Sequence, residues 1–185
     1  MNRADDVYDV REWANPGEQG LYYFFVSEGK REIIKVVQYE YVRQFRNRPL
    51  FNLGFGDYDY ENDRVTDNET SDNNDHYRVF NTVLQTIPRL FEQFKDGVIV
   101  VRGSDSSPSF ITKCRNTCKR RCDDSKCKKA HRRIGIYSTF LNKHFEQLNL
   151  EYSFYGLDGL EDCSATEPYE KGKNYRGVII EKRLN

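Results

Sequence analysis

The period of the apolar residues changes partway along this chain, and that change limits what it can fold into. Leu21–Ser27 and Glu32–Val42 are runs of aromatic and β-branched residues joined by Glu28-Gly29-Lys30-Arg31, the pattern of a β-hairpin. Leu50–Tyr58 alternates, with Phe51, Leu53 and Phe55 on one face and Asn52, Gly54 and Gly56 on the other. It reads as a third strand whose glycines allow close backbone approach. The spacing then lengthens. Phe80, Val83, Leu84, Ile87, Phe91 and Phe94 recur at i, i+3 and i+4, which makes one stripe of a helix apolar. Asn73, Asn74 or Asp75 can cap its start, because a short side-chain oxygen accepts from the free amides of the first turn. Pro88 interrupts the stripe. Inside a helix a proline removes one hydrogen bond and clashes one turn back, costing about 3 kcal/mol, so a kink or two shorter helices are expected.

Gly97–Val101 is a short, wholly apolar run of the kind found in a strand buried on both faces. A basic, Cys-rich insert at 113–130 follows. Tyr137, Phe140, Leu141, His144, Phe145 and Leu148 then spell a second amphipathic helix, on which His144 reads as a packed residue. Glu151–Leu157 and Tyr175–Lys182 close the chain as two strands. The order β-β-β-α-β-α-β-β describes a single α/β (α+β) domain over 21–185, behind a polar surface segment at 1–20. Its sheet is mixed, mostly antiparallel and of about six strands with two main helices, since strand, helix, buried strand implies a parallel crossover. A length of 185 residues suits one domain. An aromatic content of 14% is too high for general disorder.

The motifs Phe25–Val37 (FVSEGKREIIKVV), Leu53–Asp57 (LGFGD) and Ser71–Asp75 (SDNND) before Val79–Val83 occur in order. Together they resemble an uncharacterised bacterial domain-of-unknown-function family, 6934, over roughly residues 21–160. Members carry F-x-S-x-G…K-x-V, N-L-A-F-G-D, S-N-N-G-D…V-L-A-T-V and a later G-S-T…R-x-R-L-Y-R. The insert stands where that family has a short Gly-Ser-Thr-to-Arg connection. Arg132, Arg133 and Tyr137 are therefore all open to its arginine and tyrosine positions. The resemblance implies no activity. The element order is also similar to the Gcn5-type N-acetyltransferase fold, an analogy of fold only. The coenzyme A loop of those enzymes is glycine-rich, whereas Ser71-Asp72-Asn73-Asn74-Asp75 has none and sets two carboxylates where a phosphate would need bare amides.

Charge is uneven although the total is zero, from 29 basic and 29 acidic residues. Residues 113–133 carry ten Lys or Arg against two Asp, and 57–75 carry eight acids against one Arg. Nucleic-acid contact, if made, is expected through 113–133, with Arg120, Arg121, Lys128 and Lys129 as the contacting residues. The alternative is a solvated insert, and no aromatic interrupts the run to stack on bases. Asp57, Asp59, Glu61 and Asp63 alternate as calcium-loop ligands do, but Asn62 and Asn68 stand where such a loop needs its glycine and its last glutamate.

The cysteines follow C-x3-C-x3-C-x4-C from Cys114 to Cys127, with Cys163 apart. On one helix face, Cys114 and Cys122 would lie roughly 12 Å apart, too far to share an ion. A loop could still bring Cys118, Cys122, Cys127 and His131 around zinc. Free thiols and incidental disulfides are the competing readings, and no cofactor is the leading expectation. Catalytic candidates are Asp57 at a strand end, His76 beside the helix cap, Arg133 and Tyr137. Met1–Asp6 shows no apolar leader, and Val98–Val101 is far short of the roughly 20 residues of a spanning helix, so a cytoplasmic location away from membranes is expected. A binding or interaction module, with a protein partner or a second copy, is the leading functional expectation. A toxin-like or phage-defence enzyme acting on nucleic acid or nucleotide is the alternative, and a degenerate acetyltransferase the third.

Overall fold

In the computed structural model, which describes residues 7–13, 20–66, 72–117, 122, 127–159, 163 and 165–183, the chain divides into two units, 1–97 and 98–185. The first unit holds β1 (Arg11–Trp13), β2 (Gly20–Ser27), β3 (Ile33–Phe45) and β4 (Arg48–Asp59) side by side in that order. A fifth strand, β5 (Arg64–Thr66), folds back on the end of β4. All of these pairings are antiparallel. The β2–β3 hairpin is the expected one. β3 and β4 are longer than their alternation suggests, because Arg46 (φ 51°) and Asn47 (φ 60°) make a two-residue left-handed turn. That turn matches strand twist and lets pairing continue to Phe45 and Arg48. A bulge at Tyr41/Arg43 interrupts the period of β3, which hid its last residues from an alternation count.

The inward face of this sheet is set by register. Leu21, Tyr23, Phe25 and Ser27 of β2 lie on one face, beside Tyr39, Val37, Lys35 and Ile33 of β3. All eight are buried. Helix α1 (His76–Gln93) packs on β2 and β3 through Val79, Thr82, Val83, Thr86, Ile87, Leu90 and Phe91. This corrects the expected stripe. Phe80 and Leu84 are half-buried flanks, and two threonines sit at its centre. Thr82 donates to the Arg78 carbonyl (2.7 Å) and Thr86 to the Val83 carbonyl (2.7 Å), so each hydroxyl enters the core satisfied. Tyr39 and Thr86 also share a hydrogen bond of 2.8 Å.

Pro88 does not divide α1, which runs unbroken for 18 residues. One missing amide frees only the Leu84 carbonyl. Buried Ile87, Leu90 and Phe91 hold the turns on either side. The segment 1–20 is also more than a surface covering: Tyr8 is buried and β1 extends the sheet.

The second unit pairs β6 (Val98–Arg102), β9 (Gly177–Lys182), β7 (Tyr152–Leu157) and β8 (Thr166–Pro168) in that order, again antiparallel. Val98–Val101 is buried throughout, as its composition requires. Gly156 has to be glycine: a Cβ there would lie 2.0 Å from the Tyr175 ring. Two helices belong to this unit, α2 (Pro108–Thr117) and α3 (Arg132–Leu148). α2 was not expected. It starts on Ser107, whose hydroxyl accepts from the Phe110 amide at 3.1 Å, with Pro108 in the first turn, where a proline costs nothing. On α3, Ile134 and Leu141 are buried. His144 is half-buried, and burial followed by the charge of Lys143 pushes its pKa down. Both units are mixtures of helix and antiparallel strand, so the protein is α+β. Among the described residues no helix is long and apolar enough to cross a membrane.

Candidate functional site

The motifs of 25–37, 53–57 and 71–75 converge on one polar cluster in the first unit. Ser27, fully buried at the end of β2, donates its hydroxyl proton to Asp75 Oδ2 at 2.6 Å. Tyr8 donates to the same oxygen at 2.8 Å and accepts from the Glu28 amide at 3.2 Å. Asn73 donates to Ser27 Oγ (3.0 Å) and to the Arg31 carbonyl (2.9 Å), and accepts from the Arg31 amide (3.3 Å). Its side chain lies so close to Gly29 that a Cβ there would meet it at 2.6 Å. Asp75 is the N-cap residue by position, with its carbonyl accepting from the Val79 amide at 2.9 Å. Its side chain makes no capping bond, because Ser27 and Tyr8 have taken it.

Two further groups lie against the Tyr8 ring. It stacks on Phe25 at 5.6 Å, and the Arg78 guanidinium lies 3.9 Å from its centroid. Burial first, and then the Asp75 carboxylate, raise its phenol above the usual value.

Two residues along the sheet, Lys35 and Asp57 face each other across β3 and β4 and form a buried ion pair. Phe25 stands opposite Lys35 and stacks on Phe55 (6.3 Å). Gly56, beside Asp57, admits β5: a Cβ there would lie 2.6 Å from the Thr66 carbonyl oxygen. Ser27, Gly29, Asn73 and Asp75 thus form one arrangement, and Lys35 and Asp57, with Gly56 admitting β5, a second on the same sheet. Within each group the polar side chains are turned to one another, Ser27 to Asp75 and Asn73, and Lys35 to Asp57.

Asp57 therefore lies within β4, paired with Lys35, rather than open at a strand end. His76 begins α1, is exposed and rests against Tyr77 at 4.4 Å. Arg133 and Tyr137 lie on α3 in the second unit. Arg133 donates to Ser104 Oγ at 2.7 Å, and the amides of Arg132 (2.8 Å) and Arg133 (3.1 Å) donate to Asp105 Oδ2. Asp105, buried and distant in sequence, replaces the local cap that His131 (φ 61°) does not provide. Its Oδ1 has no partner among the described residues and would lie 2.7 Å from a Cβ at Gly103.

Of the expected zinc set, Cys118 lies outside the described residues, as do Arg120 and Arg121 of the expected nucleic-acid set. His131 Nδ1 is bound to Ser106 Oγ at 3.0 Å. Cys122 Sγ accepts from the Lys128 amide at 3.3 Å, next to Cys127, and no three or more metal-ligating side chains are gathered to hold an ion among the described residues. Lys128 and Lys129 are exposed on the turn before α3.

Sequence reasoning missed Lys35, Ser27, Asn73, Tyr8 and Asp105. Lys35 had a signal: it falls between Ile33 and Val37 on the inward period of its strand, where a lysine needs a buried partner. The others are polar residues in turns or near chain ends, whose partners are far away in sequence.

No curated protein and no solved structure matches this chain, so the acetyltransferase-like element order has no relative behind it. A family model does match, over residues 6–109. The matched segment contains the whole cluster, Tyr8 included, and stops before the first cysteine of the insert. With more than half of its length matched in this way, the chain belongs to the Family of unknown function (DUF6934).

Proposed function

We propose that the protein is an interaction module that pairs with a second copy of itself through the face of β1–β3 turned away from α1. The observation that carries this reading is a row of exposed apolar side chains on that face. Trp13 is 52% exposed, Val26 39% and Ile34 37%. On the same face Trp13 meets Tyr22 edge to face at 5.7 Å, and Phe24 meets Tyr58 at 5.1 Å. Contiguous exposed apolar surface of this kind marks interaction sites. Charge favours a copy over an acidic or basic partner: β1 and the hairpin loop supply Arg11, Lys30 and Arg31 against Glu12, Glu28 and Glu32. A two-fold interface needs such self-complementarity. β1 also pairs only with β2 among the described residues, leaving an edge for strand addition.

Light scattering over a wide concentration range tests the reading. A dimer is expected, and Trp13→Glu with Ile34→Lys should return it to a monomer with unchanged circular dichroism. A parent protein that stays monomeric, or a dimer indifferent to both substitutions, overturns it.

A second reading, nucleic-acid contact through 113–133, is favoured by the exposure of Lys113, Arg115, Lys128 and Lys129. Binding of duplex DNA would weaken with salt at a slope of about −0.9 per phosphate contacted. Reversing Arg120, Arg121, Lys128 and Lys129 to Glu would flatten that slope. Binding that survived the four reversals would remove the insert from the contact.

A further inference from the structure

We infer that β1 pairs antiparallel with β1 of a second copy about a two-fold axis at Glu12, so that Arg11 of each copy stands across from Trp13 of the other. The inference rests on the self-association proposed above and gives it a seam and a register. β1 ends the strand order, and Arg11, Glu12 and Trp13 are all exposed. Among the described residues it pairs with β2 alone. An edge strand takes an added strand unless something blunts it. The edge strand of the second unit is blunted: β8 carries Pro168, and its Glu167 is tied to Lys173 and Tyr175. β1 has neither proline nor bulge.

The edge is also held in place. Gln93 donates to Glu12 Oε1 at 3.0 Å, the Tyr8 amide donates to Thr82 Oγ1 at 2.9 Å, and Trp13 rests on Tyr22. A strand fixed in this way loses little further entropy when another joins it. The register with β2 sets Arg11 and Trp13 on the outer face, opposite Phe24 and Tyr22, and Glu12 on the inner face, opposite Tyr23. Pairing about Glu12 keeps Arg11 and Trp13 on one face and opposes them twice. A guanidinium over an indole is an attractive cross-strand pair, and a two-fold contact forms it twice. The opposing effect is that Glu12 faces its own copy. Arg89 of α1 lies 5.6 Å from the Tyr23 ring centre, over the same inner face, so each carboxylate has a cation nearby besides the Gln93 amide.

Sheets twist, and strands joined at an edge make the corner between two sheets packed face to face. A seam at β1 is therefore compatible with the outer faces, Val26 and Ile34 included, closing on one another.

The test uses the full chain. Residues directly opposite in an antiparallel pair have Cα atoms about 4.5–5.5 Å apart, within reach of a disulfide. Those two positions out of register lie about 7–8 Å apart, beyond that reach. Glu12→Cys should therefore bridge two copies under copper–phenanthroline, read in nonreducing peptide maps as one peptide joined to itself at the introduced thiol. Arg11→Cys alone should not bridge, whereas an equal mixture of Arg11→Cys and Trp13→Cys chains should bridge the two unlike chains. Arg11→Ala should raise the dimer dissociation constant about fivefold to thirtyfold by the loss of two such pairs, and Arg11→Lys less. A light-scattering dimer in which Glu12→Cys forms no bridge, or whose dissociation constant ignores Arg11→Ala, overturns the edge pairing and leaves the face reading standing. A monomeric parent protein overturns both.

Discussion

Ser27 donates its hydroxyl proton to Asp75 across 48 positions of sequence, at 2.6 Å, and so ties the end of β2 to the N-cap residue of α1. The same Asp75 oxygen receives Tyr8, so three separated segments meet on one atom. A hydrogen bond to a charged acceptor contributes about 1.5–3 kcal/mol. Ser27→Ala should therefore lower unfolding free energy by about that amount in urea melts. Asp75→Ala should cost more, since both hydroxyls lose their carboxylate acceptor. Equal stability of Ser27→Ala and the parent would mean that water satisfies the carboxylate as well as Ser27 does.

Lys35 and Asp57 form the buried ion pair of the first unit. Removing one partner leaves the other charge uncompensated, which costs about 3–5 kcal/mol. Lys35→Met should show that loss. The double variant Lys35→Met, Asp57→Leu should recover most of it, because apolar replacements of a buried pair are often neutral. Thermal melts of the parent, the single and the double variant close the cycle.

On α1, Leu90 is fully buried, whereas Leu84 is only half-buried. Leu90→Ala should cost about 2–5 kcal/mol by transfer and cavity terms, and Leu84→Ala clearly less. A chemical denaturation series that ranked them in the opposite order would place the helix stripe where apolar counting alone puts it.

Two buried tyrosines differ in one respect. Tyr39 shares a 2.8 Å hydrogen bond with Thr86, while the Tyr23 hydroxyl has no partner among the described residues. Tyr23→Phe should raise the melting temperature or leave it unchanged, and Tyr39→Phe should lower it. Burial pushes the Tyr23 phenol up to about 12 from 10.0. The unfolded chain then loses that proton first. The contribution of this group to stability is complete below pH 10.0 and is lost as pH rises towards about 12. Tyr23→Phe should flatten the alkaline limb of the stability profile measured by circular dichroism.

The sequence by itself determined the periodic elements. The inward alternation of β2, the apolar run of β6, the stripe of α1 and the amphipathic α3 are local patterns, set by geometry that repeats every two or 3.6 residues. What the period could not carry was decided in three dimensions. The Arg46-Asn47 turn lacks glycine, and Thr82 and Thr86 look polar until their hydroxyls bond back to the helix. Pro88 breaks a local rule that buried neighbours override. The candidate sites belong to the second kind. Tyr8, Ser27, Asn73 and Asp75 are ordinary turn and loop residues in the sequence. They become a site only because β2 and α1 end at the same point. Hydrogen bonds join residues tens of positions apart, and no pattern within a short window records which of them the folded chain brings within 3 Å.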